Sequence, residues 1–264
     1  MFTIDVEWFK VWKRSRYPIF DPELGVFVSF YSPHFFRSGD RPEDDGYSCA
    51  LVFGIFEPAA QDVINQGITT TTITELKDVS FMGKYKPDYA AAFNKGYNVI
   101  LLSVLPLMKV NASQLIKYIE SLQNDYLNTS SKKSYNDRSP HFMINPTLDK
   151  SHTLLISDLC KKVPSLNVRP FFFKDHGNNL DELLSIATPL LTAGKVWVCT
   201  HPNDPEKLRN MDAGMLEVLS GYPSTQSTSM TWALCQALIQ LQLEGIFDKE
   251  QPAVYKEFKG VKLF

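Results

Sequence analysis

The sequence predicts an α/β fold in which helices flank a mixed β-sheet, within a single domain spanning residues 1–264. Segments suited to strands come first, as a hairpin followed by one further strand, and strands then alternate with amphipathic helices. The chain has 264 residues, 44% of them hydrophobic, which is enough for one substantial core. No internal repeat or linker divides it. We therefore expect one sheet of about five to seven strands, the first two antiparallel.

Residues 1–20 are predicted to form a short amphipathic helix. Ile4, Trp8 and Val11 recur at helical spacing, and basic residues crowd its end before Pro18. These basic residues suit the carboxyl end of a helix, whose dipole favours cations, and they could equally contact DNA.

Six segments have the β-branched and aromatic composition of strands: 26–30, 49–56, 98–104, 141–144, 168–173 and 195–199. The first two are predicted to form the antiparallel hairpin. Residues 57–97 are interrupted by glycine and proline, and we expect them to form an excursion from the sheet.

Helical spacing of apolar residues predicts five further helices: 112–126, 151–163, 180–193, 211–219 and 228–243. Asn111 is a favourable N-cap for the first of these, because its side chain can accept a bond from a free backbone N–H. Gly194 follows the third helix at the position where glycine commonly ends a helix.

Composition argues against several classes of protein. The longest apolar run, 99–108, is shorter than the roughly 20 residues that cross a bilayer, so no membrane partner is expected. Asp5 and Glu7 make the start of the chain acidic, unlike the basic start of a signal peptide, and a cytoplasmic location is expected. The four cysteines form no CxxC pair, which predicts neither a zinc site nor a disulfide framework. A net charge of −2 argues against a protein that coats nucleic acid, though not against a local basic patch.

Common catalytic motifs are absent from the sequence. It has no GxxxxGK[ST] phosphate loop, no GxGxxG after a strand and no HExxH, and its five histidines lack the spacing of metal ligands. Two groups of basic residues are candidate DNA contacts: Lys10, Lys13, Arg14, Arg16, Lys132 and Lys133.

A longer pattern covers most of the chain. Residues 184–198 read LSIATPLLTAGKVWV, and residues 219–238 read LSGYPSTQSTSMTWALCQAL. Together they resemble the C-terminal half of the RNase H-like nuclease domain of phage terminase large subunits, which carries TPLxEAGRVWLP and then FPxxxHDDxxDALxxAL. Upstream segments follow the order of the family's segments (an entry helix, SWDT, DYSxxxVWG, LLDV and IE): residues 5–18, 29–32, 46–54, 101–104 and 144–145. The resemblance implies an RNase H-like fold and leaves out only residues 57–97 and 128–140.

Members of this family cut DNA with two divalent cations held by carboxylates. The positions of those acids carry uncharged residues in this sequence: Tyr31, Asn145, Thr228, Ser229 and Trp232. Gly46 also stands where the family has an aspartate. The resemblance therefore implies an inactive nuclease-like protein without a metal cofactor, which binds DNA or a phage or host protein. It further implies that the five substituted positions lie close together in space.

Neighbouring acids leave an alternative open. Asp45, Asp149 and Asp181 could hold Mg²⁺ or Mn²⁺ at a displaced site, which would make the chain an active, metal-dependent DNA endonuclease of phage DNA packaging. The same three acids are also explained as loop and helix-cap residues. A third hypothesis is recruitment of the domain to an unrelated interaction. Because the sequence has no phosphate loop, no packaging motor is expected in it.

Overall fold

A computed structural model describes these residues of the chain: 3–14, 16–21, 25–31, 48–58, 96–108, 114–122, 142–146, 161–162, 166–169, 171–172, 175–177, 179–222 and 228–247.

Eight strands form one mixed sheet in the described part of the chain. They are β1 (Lys10–Trp12), β2 (Val26–Tyr31), β3 (Ser48–Phe56), β4 (Asn98–Met108), β5 (Phe142–Pro146), β6 (Leu166–Val168), β7 (Val196–His201) and β8 (Asp204–Leu208). The strand order is β1-β7-β4-β3-β2-β5-β6, and β8 pairs with β7. Strand β3 runs antiparallel to both of its neighbours, whereas the other pairs along this path are parallel.

Helices cover both faces of the sheet. They are α1 (114–122), α2 (Leu180–Thr192), α3 (Asn210–Ser220) and α4 (Ser229–Leu243). One core packs alternate strand residues such as Phe27, Leu51 and Leu101 against α2, α3 and α4. The second core packs the intervening residues, such as Val28 and Ile100, against α1. This alternation is what places α4 on β2, where the candidate site lies.

Helix α4 is buried on almost every side. Eleven residues are buried along its length: Ser229, Met230, Thr231, Ala233, Leu234, Cys235, Gln236, Ala237, Leu238, Ile239 and Leu241. A helix that is apolar all round belongs in the interior, and α4 packs against β2, β3 and α2.

Helix α2 has clear signals at both ends. The side-chain oxygen of Asn179 accepts a hydrogen bond of 3.0 Å from the N–H of Glu182, which caps the start. Gly194, just after the helix, has a φ of +69°. This left-handed conformation is what favours glycine at the turn, and the flexible Lys10 side chain packs against the space where a Cβ would stand.

The α/β class, the mixed sheet and its flanking helices are confirmed. The hairpin of β2 and β3 is antiparallel as predicted, and α2 and α4 fall within one residue of their predicted bounds. The predicted helix 112–126 is described as helical at 114–122, and the predicted helix 151–163 only at 161–162. The rest of those two segments, and 59–95 within the predicted excursion, lie outside the described residues.

The helix predicted for residues 1–20 is wrong. Val6–Trp8 form one 3-10 turn, and Lys10–Trp12 form β1 in parallel register with β7. Trp12 is buried against the rings of Phe56 and Trp197, at centroid distances of 5.7 and 6.0 Å. A β-branched and aromatic pair gains more from the open edge of β7 than from a weakly amphipathic helix.

Two other strands differ from the prediction. Strand β6 occupies Leu166–Val168 rather than 168–173, with Phe171 forming only an isolated bridge, and Pro170 in that segment has no N–H to donate to a sheet. Strand β8 was not predicted, because Asp204–Leu208 is mostly exposed and lacks alternating apolar residues. With β1 and β8 the sheet exceeds the predicted strand number.

Candidate functional site

Strand β2 presents alternate residues to α4, and two buried hydrogen bonds join the two elements. The Ser29 hydroxyl donates to the carbonyl oxygen of Ala233 at 2.7 Å. The Gln236 side-chain amide donates to the carbonyl oxygen of Phe30 at 3.0 Å. All four groups are inaccessible to water, so α4 is held at a fixed position over the end of β2.

Tyr31 and Trp232 stack face to face at this β2–α4 junction. Their ring centroids are 5.6 Å apart and their planes differ by only 5°. Burial raises the pKa of Tyr31 to about 12, so the phenol stays neutral at physiological pH. These two positions are the ones where the terminase resemblance would place metal-binding aspartates.

The other substituted positions lie around this stack. Thr228 precedes α4, and its carbonyl oxygen accepts a hydrogen bond of 2.9 Å from the N–H of Trp232. Ser229 is buried in the same turn. Asn145 pairs in parallel register with Ser29, which puts its backbone beside β2. The structure thus brings Tyr31 and Trp232 into contact, with the remaining three in adjacent backbone positions.

Of the three acids of the alternative site, the structure describes Asp181 alone. Asp181 lies in the first turn of α2, where its Oδ1 accepts a hydrogen bond of 3.0 Å from the Tyr222 hydroxyl. Burial, and then this carboxylate, raise the pKa of Tyr222 to about 12. Asp45 and Asp149 lie outside the described residues. Within the described ranges, no group of three or more His, Cys, Asp or Glu side chains is placed to hold a metal ion.

The N-terminal basic residues lie in the edge strand β1 and in the segment directly after it. Lys13, Arg14 and Arg16 are exposed, and the Arg14 guanidinium lies 5.3 Å from the ring centre of Trp12. Lys10 is half-buried, and burial lowers the pKa of its ammonium group. Lys132 and Lys133 lie outside the described residues.

A buried ion pair that the sequence analysis missed joins β7 to α3. Arg209 Nη2 lies 2.8 Å from Oδ1 of Asp212, which is fully buried. Oδ2 of the same carboxylate accepts a hydrogen bond of 2.6 Å from the N–H of Cys199, and Arg209 also donates to the carbonyl oxygen of Leu101 at 2.7 Å. The other guanidinium nitrogen, Nη1, donates to the Tyr17 hydroxyl. The pair therefore ties β4, β7, α3 and the N-terminal segment together.

Burial raises the pKa of Asp212, while the Cys199 N–H and the Arg209 guanidinium oppose that shift. Burial also raises the pKa of the Cys199 thiol to about 12, so the thiol stays protonated at neutral pH. The signal available in the sequence was an arginine and an aspartate three residues apart at the start of the predicted helix 211–219, a spacing that favours contact between the two side chains.

Comparison with protein-family models, with curated proteins and with solved structures finds no match to this chain. Among the helices that the structure describes, none combines the length and the apolar character needed to cross a membrane.

Proposed function

We propose that this chain is a catalytically inactive relative of the terminase nuclease domain, which acts by binding and not by cutting DNA. The observation that carries the proposal is the stack of Tyr31 on Trp232. The resemblance aligns both residues with acidic positions. Ser29, two residues before Tyr31, is hydrogen-bonded to Ala233, the residue after Trp232, across 204 positions of sequence. Their contact supports the alignment at both positions.

The strand order also supports an RNase H-like arrangement. In that fold the first strand lies between the second and the fourth, and the second runs antiparallel to the others. The path β4-β3-β2-β5-β6, with β3 antiparallel to its neighbours, has this order for five strands that are consecutive along the chain.

The chemistry of the junction argues against catalysis. Divalent cations such as Mg²⁺ need anionic oxygen ligands to compensate for the water that they lose on binding. Two aromatic rings, two hydroxyl residues and one amide residue occupy the aligned positions, and these supply dipoles without charge. These five positions therefore do not supply the anionic ligands that a hard cation needs.

The direct test measures cleavage and metal binding together. Purified protein is incubated with supercoiled plasmid and Mn²⁺ beside a variant carrying Asp45→Ala, Asp149→Ala and Asp181→Ala. We expect no cleavage by either protein and no metal-induced change in Tm. Cleavage by the parent that is lost in the triple variant would establish the alternative, an active endonuclease with displaced ligands.

A restoration experiment tests the alignment itself. The double variant Tyr31→Asp with Trp232→Asp should gain a Mn²⁺-dependent rise in stability, about 1–3 kcal/mol at metal concentrations well above the dissociation constant. The matched control, Tyr31→Asn with Trp232→Asn, has the same size and polarity without the charge and should not respond to metal. Equal behaviour of the two variants would contradict the proposed correspondence.

Binding to DNA is tested separately, since the family relationship suggests both DNA and protein partners. Any affinity for duplex DNA should depend on Lys13, Arg14 and Arg16 and should fall steeply as salt rises, because phosphate contacts release counterions. Substituting Lys13 and Arg16 by alanine should reduce both the affinity and the salt dependence.

A further inference from the structure

The segment that follows β1 forms an exposed surface of unusual composition. Lys13, Arg14, Arg16, Tyr17 and Ile19 project from it, and we call these five residues the basic edge. Ile19 is 94% exposed and Tyr17 44% exposed, whereas most other large apolar residues in the described part of the chain are buried. Between Glu7 and Asp21 the sequence contains no acidic residue, so the charged side chains of this segment are all positive.

The basic edge is held in place by contacts on both sides of it. At its start, Nε1 of Trp12 donates to the carbonyl oxygen of Arg16 at 2.8 Å. In its middle, the Tyr17 hydroxyl accepts from Arg209, whose guanidinium carbon lies 5.5 Å from the Tyr17 ring centre. At its end, the Asp21 N–H donates to the carbonyl oxygen of Ile55 at 2.8 Å. The surface is therefore preorganised, and a partner does not need to order it.

The packing of Phe20 against Gly54 fixes Ile19 in its outward position. Phe20 packs so closely on β3 that a Cβ at Gly54 would lie 2.3 Å from its ring. Phe20 is thus directed at the sheet, and Ile19 before it is directed at solvent, with Pro18 limiting the backbone between Tyr17 and Ile19. Exposure of Ile19 follows from how its neighbours are anchored.

We propose that the basic edge is a docking site for an acidic protein segment that carries a large apolar side chain. The basic residues complement the acidic charge of such a segment, and Ile19 with the ring of Tyr17 supplies an apolar contact for its side chain. Duplex DNA would satisfy the charge but would leave Ile19 exposed, since a phosphate backbone offers no apolar partner. This inference rests on the proposed function in one respect, which is that the chain acts by binding.

The test uses the whole chain and a displayed library of random peptides. Selected peptides should combine aspartate or glutamate with a leucine, isoleucine, phenylalanine or tryptophan. Ile19→Ala should weaken binding of a selected peptide about tenfold, because it removes most of the apolar contact. Leu243→Ala, which alters another exposed apolar residue at the end of α4, is the matched control and should leave the affinity unchanged.

A duplex DNA oligonucleotide serves as the competing probe. Lys13→Ala with Arg16→Ala should weaken peptide binding, and DNA should bind less tightly than the selected peptide at the same salt concentration. Failure to enrich acidic peptides, or affinities that Ile19→Ala leaves unchanged, would overturn the proposal. Tighter binding of DNA through the same basic residues would also overturn it. None of these outcomes bears on metal-dependent cleavage, which tests the proposed inactivity by itself.

Discussion

The β2–α4 junction and the β7–α3 junction solve the same problem with different chemistry. Each fixes a helix to the same face of the sheet through buried polar groups. The β2–α4 junction uses a hydroxyl, an amide and two stacked rings, all uncharged. The β7–α3 junction uses a buried carboxylate and guanidinium. The chain therefore accommodates buried charge where it is compensated, so the lack of charge between β2 and α4 is a specific property of that site.

The strongest way to test this contrast is to uncouple the ion pair. Arg209→Met leaves the Asp212 carboxylate buried without its cation, and we expect a loss of about 3–5 kcal/mol in the free energy of unfolding. Urea denaturation measures it. Arg209→Met combined with Asp212→Leu should recover much of that loss, since no uncompensated charge remains.

The matched control for the ion pair is Arg169→Met. Arg169, whose side chain is about half exposed, lies 3.7 Å from Glu244, and loss of this contact should cost at most about 1 kcal/mol. An equal cost for Arg169→Met and Arg209→Met would show that burial does not distinguish the two pairs.

The next largest effect concerns the aromatic stack. Trp232→Ala should cost about 2–3 kcal/mol, less than for a fully buried tryptophan because the side chain is partly exposed. A double-mutant cycle with Tyr31→Ala should give a coupling energy of about 0.5–1.5 kcal/mol. Strict additivity of the two substitutions would mean that the rings do not interact.

The dependence of stability on alkaline pH provides a further measurement at the β2–α4 junction. The ordinary pKa of tyrosine is 10.0, and burial raises the pKa of Tyr31 to about 12. Folded protein thus retains a proton that unfolded protein loses, and the free energy of unfolding should fall as pH rises from about 10 to about 12. The loss attributable to Tyr31 is on the order of 1–2 kcal/mol after allowance for its partial exposure, and Tyr31→Phe should abolish that part.

The smallest effect is expected for the hydroxyl groups. Ser29→Ala removes the bond to the Ala233 carbonyl and should cost about 1 kcal/mol. Between β7 and β1, Thr200 Oγ1 donates to the Trp12 carbonyl at the longer distance of 3.3 Å, and Thr200→Val should cost less. A reversed ranking in thermal denaturation would contradict the hydrogen-bond geometry.

Strong local patterns predicted the centre of the fold correctly, and tertiary contacts decided its edges. Residues 180–193 specified α2 through apolar periodicity and the closing Gly194, and residues 228–243 specified α4 as one long, mostly apolar segment. Residues 4–12 carried a short helical pattern of apolar residues, and pairing of residues 10–12 with β7 overrode it. Strand β8 had no sequence signal because it lies almost entirely in water.

The residues of the candidate site were likewise predicted only in part. The resemblance identified Tyr31 and Trp232 as partners although they are distant in sequence, and no periodicity could have paired them. The resemblance gave no indication of Arg209 and Asp212. This pair joins two strands because Arg209 donates to the carbonyl of Leu101 and Asp212 accepts from the N–H of Cys199. Backbone partners of this kind depend on how strands are arranged, and a linear sequence does not record that arrangement.

The short strand β1 sets an order of events during synthesis. Trp12 is bonded to Thr200 across 188 positions, so its strand has no partner until most of the chain has left the ribosome. At about 5–20 residues per second, Trp12 waits roughly 10–40 s for β7 to appear. Arg209, which anchors Tyr17, emerges later still. A partner that recognises the anchored basic residues would therefore bind only chains on which β7 and Arg209 have already been synthesised. Shorter nascent chains would not enter the complex.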